Sequence, residues 1–393
     1  MEKDNSDTKK KLNPIDYLTN NYRNTYPEIN WHNTTTHEIE KIIKSLKTKD
    51  SSGYEEITTR ILKSSAPYIS SPLTYICNKI LSDGIYPDRL KYAVVKQIFK
   101  TGDERDISNY RPISLLTSFS KIVEKLIYAR LQNHIDTNDN LCREQYGFRS
   151  KHSTEQATFS LINNIQTAMN ENQKVGGIFC DIRKAFDCVN HTIILDKLEV
   201  YGIKGKSKKL LKSYLTGRYQ KVMIARGTPN SNSSEWEQIK SGVPQGSILG
   251  PLLFLLYIND FPSVIPNPNS VVLFADDTSI LTTASNLQNL NIMANQLFYD
   301  VNLWFNSNLL TLNYKKTHYV EYKTNNYYQT RTNINYEGNT IPNLTSTKFL
   351  GLIVDETLSW NEHIDSAAKK LCSASYVIRN LKHTVSPTTL KTL

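Results

Sequence analysis

The chain has 393 residues, a formal net charge of +10 and a pI of about 9.1. Hydrophobic residues make up 39% and charged residues 21%, which reads as a soluble, globular chain long enough for two or three coupled subdomains. The longest apolar stretch, Ile248–Ile258, contains Gly250 and Pro251 and falls well short of the ~20 residues a membrane span needs, so it is expected as a buried helix. The excess of Lys and Arg favours a polyanionic partner, although many basic proteins bind no nucleic acid. Met1–Lys11 has no apolar core and does not read as a signal peptide. Five cysteines, an odd number with no Cys-x-x-Cys, argue against a disulfide framework and a zinc site; reduced thiols in an intracellular compartment are the simplest reading.

In chain order, residues 1–60 are polar and read as an N-terminal extension or linker, apart from one amphipathic helix over Thr36–Leu46 with Ile39, Ile42, Ile43 and Leu46 on a face. Thr59–Ser82 reads as helix in two pieces, broken at Pro67 and Pro72. Tyr92–Phe99 is rich in β-branched and aromatic residues and predicts a strand, with Lys100–Asp103 as its turn. Phe119–Leu131 has a helical apolar face, and Ser153-Thr-Glu-Gln156 matches a capping box ahead of Ala157, Leu161, Ile165 and Ala168. Val175–Ile182 predicts a strand on which Phe179 and Asp181 share a face. Gly227–Ser234 reads as a polar loop, and Ser247–Asp260 as the apolar helix. Val271–Phe274 and Thr278–Thr282 flank Asp276-Asp277 and read as a β-hairpin. Leu290, Met293, Leu297, Val301 and Trp304 then recur at helical spacing. This order predicts an α+β layer with helices on a sheet face.

Two adjacent acids at a hairpin tip are, by themselves, more often a turn than a site. Here the flanking residues Val271–Phe274 are apolar, so the pair sits against buried strands, where unpaired carboxylates are costly unless cations neutralise them. Asp181 ends another apolar strand; alone it reads as a solvent-facing acid, but if the strands are neighbours three carboxylates converge. Such a set suits Mg²⁺ or Mn²⁺, and two such ions favour in-line phosphoryl displacement. Gly242-Val-Pro-Gln-Gly-Ser247 predicts a tight turn with exposed backbone donors feeding a helix; taken singly it is structural. Lys100 and Arg111, one on each side of a turn, could grip a triphosphate, though either alone is an ordinary surface cation.

The ordered set resembles the reverse transcriptase domain of non-LTR (LINE-type) retrotransposons, especially the jockey-like group, over roughly residues 50–393. The matching pieces are Val94–Lys100, Asn109–Leu116, Gln145–Arg149, Phe179–Asp187, Gly242–Pro251, Phe274–Asp277, Leu312–Thr317 and Phe349–Leu352. The resemblance implies a right-hand α+β polymerase fold: fingers over 61–175, a palm with an antiparallel sheet over 176–352, and a partial thumb over 353–393. It implies an RNA-directed DNA polymerase with an RNA template, a DNA primer or target, dNTPs as substrates and two Mg²⁺ ions. Asp181, Asp276 and Asp277 would be the metal-binding carboxylates. Phe186 would exclude a ribose 2′-hydroxyl, and Gln245 with Gly246 would meet the incoming nucleotide. Lys100 and Arg111 would hold its triphosphate, Lys316 would protonate pyrophosphate, and Phe349-Leu350-Gly351 would be the primer grip. The implied location is the nucleus or a cytoplasmic ribonucleoprotein, without secretion or a membrane.

Such elements usually carry an apurinic-like endonuclease ahead of this domain, and about 50 residues precede it here. Position 393 falls in an expected helix, Ser386–Leu393, where a thumb would continue. The chain therefore reads as a fragment of a larger polyprotein or a degraded genomic copy. Rival readings are a catalytically silent, element-derived RNA-binding protein and a group II intron maturase-like protein.

Overall fold

The stretch Lys174–Cys180 has no exposed residue, and a strand buried on both faces must lie inside a sheet with layers above and below it. In the computed structural model, which describes residues 13–21, 26–224, 233–324 and 332–390, it is the centre of a five-stranded sheet. The strands in chain order are β1 (Tyr92–Phe99), β2 (Tyr110–Leu116), β3 (Lys174–Cys180), β4 (Arg218–Met223), β5 (Glu237–Ile239), β6 (Ser270–Phe274) and β7 (Asp277–Ala284). They continue with β8 (His318–Tyr322), β9 (Ile334–Tyr336), β10 (Asn339–Ile341), β11 (Asn343–Leu344), β12 (Ser346–Phe349) and β13 (Leu352–Asp355).

The central sheet runs β11-β8-β3-β7-β6, antiparallel except where β11 joins β8. Because side chains alternate along β3, Ile178 and Cys180 enter one core and Val175 and Phe179 the other. The first core holds helices Leu249–Ile258 and Leu287–Ser307. The second holds helix Thr154–Asn170, which begins with the expected capping box, and the β12–β13 hairpin. Helix Leu249–Ile258 buries every residue but Pro251, as its uniform apolarity requires. A second sheet, β2-β1-β4-β5, pairs β1 with β4 in parallel; it draws strands from both sides of position 175.

Two expectations about the N-terminal part are corrected. Residues 13–21 and 26–60 are not a linker outside one helix: Leu18 and Ile29 are buried in the main core beside Ile39, Ile42, Ile43 and Leu46. Thr59–Asp83 is one continuous helix through Pro67 and Pro72. Each proline costs about 3 kcal/mol in a helix interior. Both lie on the exposed face, where water can take the carbonyls they free, and the opposite face buries Leu62, Ala66, Cys77, Ile80 and Leu81. Burial at about 1.5–3 kcal/mol for each large side chain outweighs the two breaks. Of the Gly227–Ser234 loop, residues 227–232 lie outside the described residues, while Ser233 and Ser234 bond back to β4. Of the C-terminal helix, Pro387–Leu390 is observed and residues 391–393 lie outside the described residues.

Helix Asn361–Leu381 follows β13 and buries none of its residues. Its approach is fixed by Asp355, whose carboxylate accepts the Thr357 hydroxyl (2.7 Å) and the N–H groups of Thr357 (3.1 Å), Ser359 (3.0 Å) and Trp360 (2.9 Å). Burial alone would push the Asp355 pKa up, but these donors outweigh it and hold the group at about 2. A depressed folded value means that the stabilisation is complete above the unfolded value near 4 and is lost as pH falls towards 2. Asp355→Asn is therefore expected to cost about 1–2 kcal/mol at neutral pH. Urea unfolding at stepped pH should show the gap to wild type narrowing below pH 4; a gap independent of pH would remove the Asp355 charge from this account.

Candidate active site

Asp181 is the first residue beyond β3. The register pairs Cys180 with Thr278, so the next position along β3 lies opposite the start of β7, which is Asp277. The loop Thr311–Thr317 lies along Asp181–Arg183 and fixes the first carboxylate. Asn313 donates its backbone N–H to Asp181 O (2.8 Å) and its side-chain Nδ2 to Asp181 Oδ2 (3.0 Å). The Asp181 N–H donates to Thr317 Oγ1 (3.2 Å), Arg183 N donates to Thr311 O, and Ile182 bridges Leu312.

The second and third carboxylates sit on the β6–β7 hairpin. Phe274 pairs with Asp277, which leaves Ala275-Asp276 as a two-residue turn. Ala275 has φ +57°, a left-handed conformation costly for a residue with a Cβ. Asp277 thus begins β7, and Asp276 alone occupies the turn with Ala275.

The β1–β2 hairpin carries two cations whose charges reach these acids. Arg111 stands opposite Ile98, Lys100 N donates to Asn109 O, and both side chains are exposed. The charges of both lower the Asp276 pKa, and that of Lys100 lowers Asp277, so these groups share one electrostatic field. Phe186 is half-buried between Phe254 (ring centroids 4.9 Å) and Phe148 (6.4 Å). In the Gly242–Ser247 turn, Gln245 Nε2 donates to Asp187 Oδ1 (3.2 Å) and its carbonyl accepts Ser114 N (2.8 Å). Gly246 has φ +113°, and a Cβ there would stand 2.9 Å from Ser114 O, so glycine is required both by conformation and by the approach of β2. Phe349 is buried against Phe179, and Leu350 (φ +46°) and Gly351 (φ +101°) form the two-residue turn of the β12–β13 hairpin. Lys316 is exposed on the loop that holds Asp181; the bonds to Asp181 come from Asn313 and Thr317, not from Lys316.

Burial raises the Asp276 pKa first; Asp181 raises it further, while a backbone N–H bond, Arg111 and Lys100 oppose. Burial, then the charges of Asp276 and Asp181, push Asp277 up to about 6, with Lys100 opposing. Asp277 keeps an exposed surface, so water screens part of this field. Among the described residues no three His, Cys, Asp or Glu side chains close into a ready-made ion cage. The donor set nevertheless fits a hard divalent ion. Its ligands are carboxylate oxygens whose repulsion a cation relieves, and polymerase-type Mg²⁺ sites use one or two carboxylates completed by water and substrate phosphates.

Four residues near the site were not singled out from the sequence, although each lies in a quoted motif. They are Asn313 and Thr317 beside Asp181, Asp187 under Gln245, and Gln145, whose side chain reaches the hairpin turn. Each supports a neighbour through one or two hydrogen bonds, which no periodicity reveals. The raised Asp277 value has a measurable consequence in metal-free protein. Between the unfolded value near 4 and about 6 the folded state binds more protons, so stability falls as pH rises through that window. Asp277→Asn is expected to flatten this part of the Tm-against-pH curve in the presence of a chelator. An unchanged slope would show that burial and the neighbouring acids do not hold Asp277 above its unfolded value.

Residues 98–354 match the family described as reverse transcriptase (RNA-dependent DNA polymerase). The chain is 29% identical over 367 residues to the "Probable RNA-directed DNA polymerase from transposon BS" of Drosophila melanogaster, covering 90% of this chain and 39% of that protein. It is 28% identical over 345 residues to the "RNA-directed DNA polymerase from mobile element jockey" of the same fly, covering 84% of this chain and 36% of that protein. The chain thus spans well under half the length of these curated relatives. Their names agree with the resemblance carried by the motifs, and the family match takes in all three carboxylates, both cations and the Phe349–Gly351 turn. The chain belongs to the reverse transcriptase (RNA-dependent DNA polymerase) family.

Proposed function

We propose that this chain is the RNA-directed DNA polymerase region of a non-LTR, jockey-like retrotransposon, joining dNTPs to a primer 3′-hydroxyl on an RNA template. The observation that carries the reading is the common field of Asp181, Asp276 and Asp277 with Lys100 and Arg111 at one end of an apolar sheet. A carboxylate cluster facing two cations is the arrangement that phosphoryl transfer requires: anions to hold metal, cations to hold phosphate.

In this reading the β1–β2 sheet belongs to the fingers, the central sheet is the palm of a right hand, and helix Asn361–Leu381 begins the thumb. Asp181, Asp276 and Asp277 hold Mg²⁺, with Mn²⁺ as a substitute. When bound, two such ions supply stabilisation of the attacking and leaving oxygens. Arg111 and Lys100 bind the triphosphate from the fingers side, Arg111 through its planar fork and Lys100 as a point charge. The Phe186 ring is braced by Phe254 and Phe148 and cannot easily yield to a 2′-hydroxyl. Gln245, held by Asp187, and Gly246 present a flat surface to the incoming base. Phe349–Gly351 supports the primer end. Lys316 supplies a proton to pyrophosphate from the loop that anchors Asp181. The template, primer and nucleotides are the partners, met in the nucleus or in a cytoplasmic ribonucleoprotein.

Primer extension on poly(rA)/oligo(dT) with Mg²⁺ or Mn²⁺ tests the reading. The wild-type chain is expected to incorporate dTTP. Asp276→Asn should reduce incorporation by roughly a hundredfold or more, the scale of a lost charge-stabilising group, while RNA binding stays near wild type. A folded wild-type chain that binds RNA without incorporation would instead support the silent RNA-binding reading. Phe186→Val should lower the preference for dNTP over rNTP in kcat/KM by about tenfold or more. Unchanged discrimination in a folded variant would remove Phe186 as the sugar gate.

A further inference from the structure

The turn that carries Asp276 is held from outside its own hairpin. The segment Glu144–Gly147 runs beside β6: Leu273 N donates to Glu144 O (2.9 Å), Tyr146 N donates to Leu273 O (2.8 Å), and Gln145 bridges Leu273 in parallel. From this segment the Gln145 side chain, 1% exposed, reaches the turn, where its Oε1 accepts the N–H groups of Ala275 (2.9 Å) and Gly147 (2.8 Å). Two donors aimed at one atom fix the orientation of the amide, because only an oxygen can accept both. Gly147 lies against the same turn so closely that a Cβ there would stand 2.2 Å from Ala275 N.

The Ala275 N–H lies beyond the last ladder pair, Phe274 with Asp277, and Ala275 is buried. Without an acceptor it would be an orphan donor in a turn that already holds Ala275 at positive φ. The Gln145 Nε2 is itself buried and has no hydrogen-bond partner among the described residues, a cost that an apolar residue chosen for packing alone would avoid. A neutral acceptor has a further advantage at this place. A Glu could accept the same two N–H groups but would add a fourth negative charge beside Asp181, Asp276 and Asp277.

We propose that Gln145 is a positioning residue for the carboxylate site: its side-chain oxygen holds the Ala275 N–H and so sets where Asp276 and Asp277 stand relative to Asp181. Its effect on nucleotide transfer rests on the polymerase reading above, whereas its hold on the turn does not. The test therefore has two readouts, hydrogen–deuterium exchange of the metal-free protein and primer extension. In Gln145→Met, of similar length and without an acceptor, exchange in the 270–284 hairpin should accelerate by about tenfold or more, with residues 318–322 unchanged. The kcat for dTTP should fall by about 10–100-fold and the Mg²⁺ concentration for half-maximal rate should rise, as for other groups that orient metal ligands. The dTTP KM and the template–primer Kd should stay within roughly threefold of wild type. Gln145→Glu, which keeps two acceptor oxygens, should retain hairpin protection. Hairpin exchange within roughly threefold of wild type in folded Gln145→Met, or acceleration spread equally to residues 318–322, would overturn the proposal. If Gln145→Met does not fold, Gln145→Ala decides on the same readout: acceleration confined to the 270–284 hairpin supports the role, and exchange that is unchanged or equally faster in residues 318–322 overturns it. A wild-type chain that incorporates no nucleotide would refute the polymerase reading, and exchange would still decide the role of Gln145.

Discussion

Like charges held on neighbouring strands repel, and the free energy they cost must be met by the rest of the fold. Asp276 and Asp277 are adjacent, and both feel Asp181 across the sheet. Each is also partly shut off from water, which would otherwise screen the repulsion. A flexible hairpin would relieve such strain by swinging its carboxylates apart. The surrounding structure prevents that movement. β7 is buried along its whole length after Asp277, and β3 is buried after Lys174. The hairpin therefore cannot shift its register without exposing an apolar face.

The same constraint accounts for the loops that crowd the end of the sheet. Two places are held by segments distant in the chain: Asp181 by Asn313 and Thr317, and the Asp276 turn by Gln145. The Gly242–Ser247 turn is held in turn by β2 through Ser114, by Asp187, and from below by Glu124. Glu124 is fully buried; its Oε2 accepts Ile248 N (2.6 Å) and its Oε1 the Ser120 hydroxyl (2.9 Å). Burial pushes the Glu124 pKa up, while Arg218 opposes it. A carboxylate at this spot satisfies N–H groups at the start of the Leu249–Ile258 helix, which the Gly242–Ser247 turn feeds. Polar groups are thus spent in the core to fix a loop, a choice that stability alone does not favour.

The strands and helices were largely legible in the sequence because burial imposes a period. Tyr92–Phe99 is a strand over the span its residues predict, and the Ser153–Gln156 capping box forms as its spacing demands. The placing of the acids at strand ends was legible because apolar runs flank them. What the sequence concealed follows from the same physics. Proline rules act locally, so Pro67 and Pro72 read as breaks, whereas the buried face of Thr59–Asp83 acts over its whole length and prevails. The polar stretch before residue 36 reads as linker because isolated apolar residues such as Leu18 and Ile29 show no period, yet each finds the core. The joining of β4 to β1 is a pairing across more than 100 positions, and no local pattern records it.

The supporting contacts also explain why the motifs carry more information together than singly. Gln145–Arg149 is fitted to Phe274–Asp277: the Gln145 oxygen that accepts the Gly147 N–H also accepts that of Ala275, and Gly147 leaves room for that backbone to pass. Leu312–Thr317 is written against the backbone of Asp181–Arg183. Gly242–Ser247 is written against both Asp187 and Ser114, and Gly242 has no room for a Cβ because Asp187 Cα would lie 2.7 Å away. Each motif is one half of a contact whose other half is a second motif. Chance supplies an Asp-Asp or a Pro-Gln-Gly readily, but not a set whose members fit one another in space. A substitution in one motif is therefore felt at its partner, and the three carboxylates sit where several of these paired contacts meet.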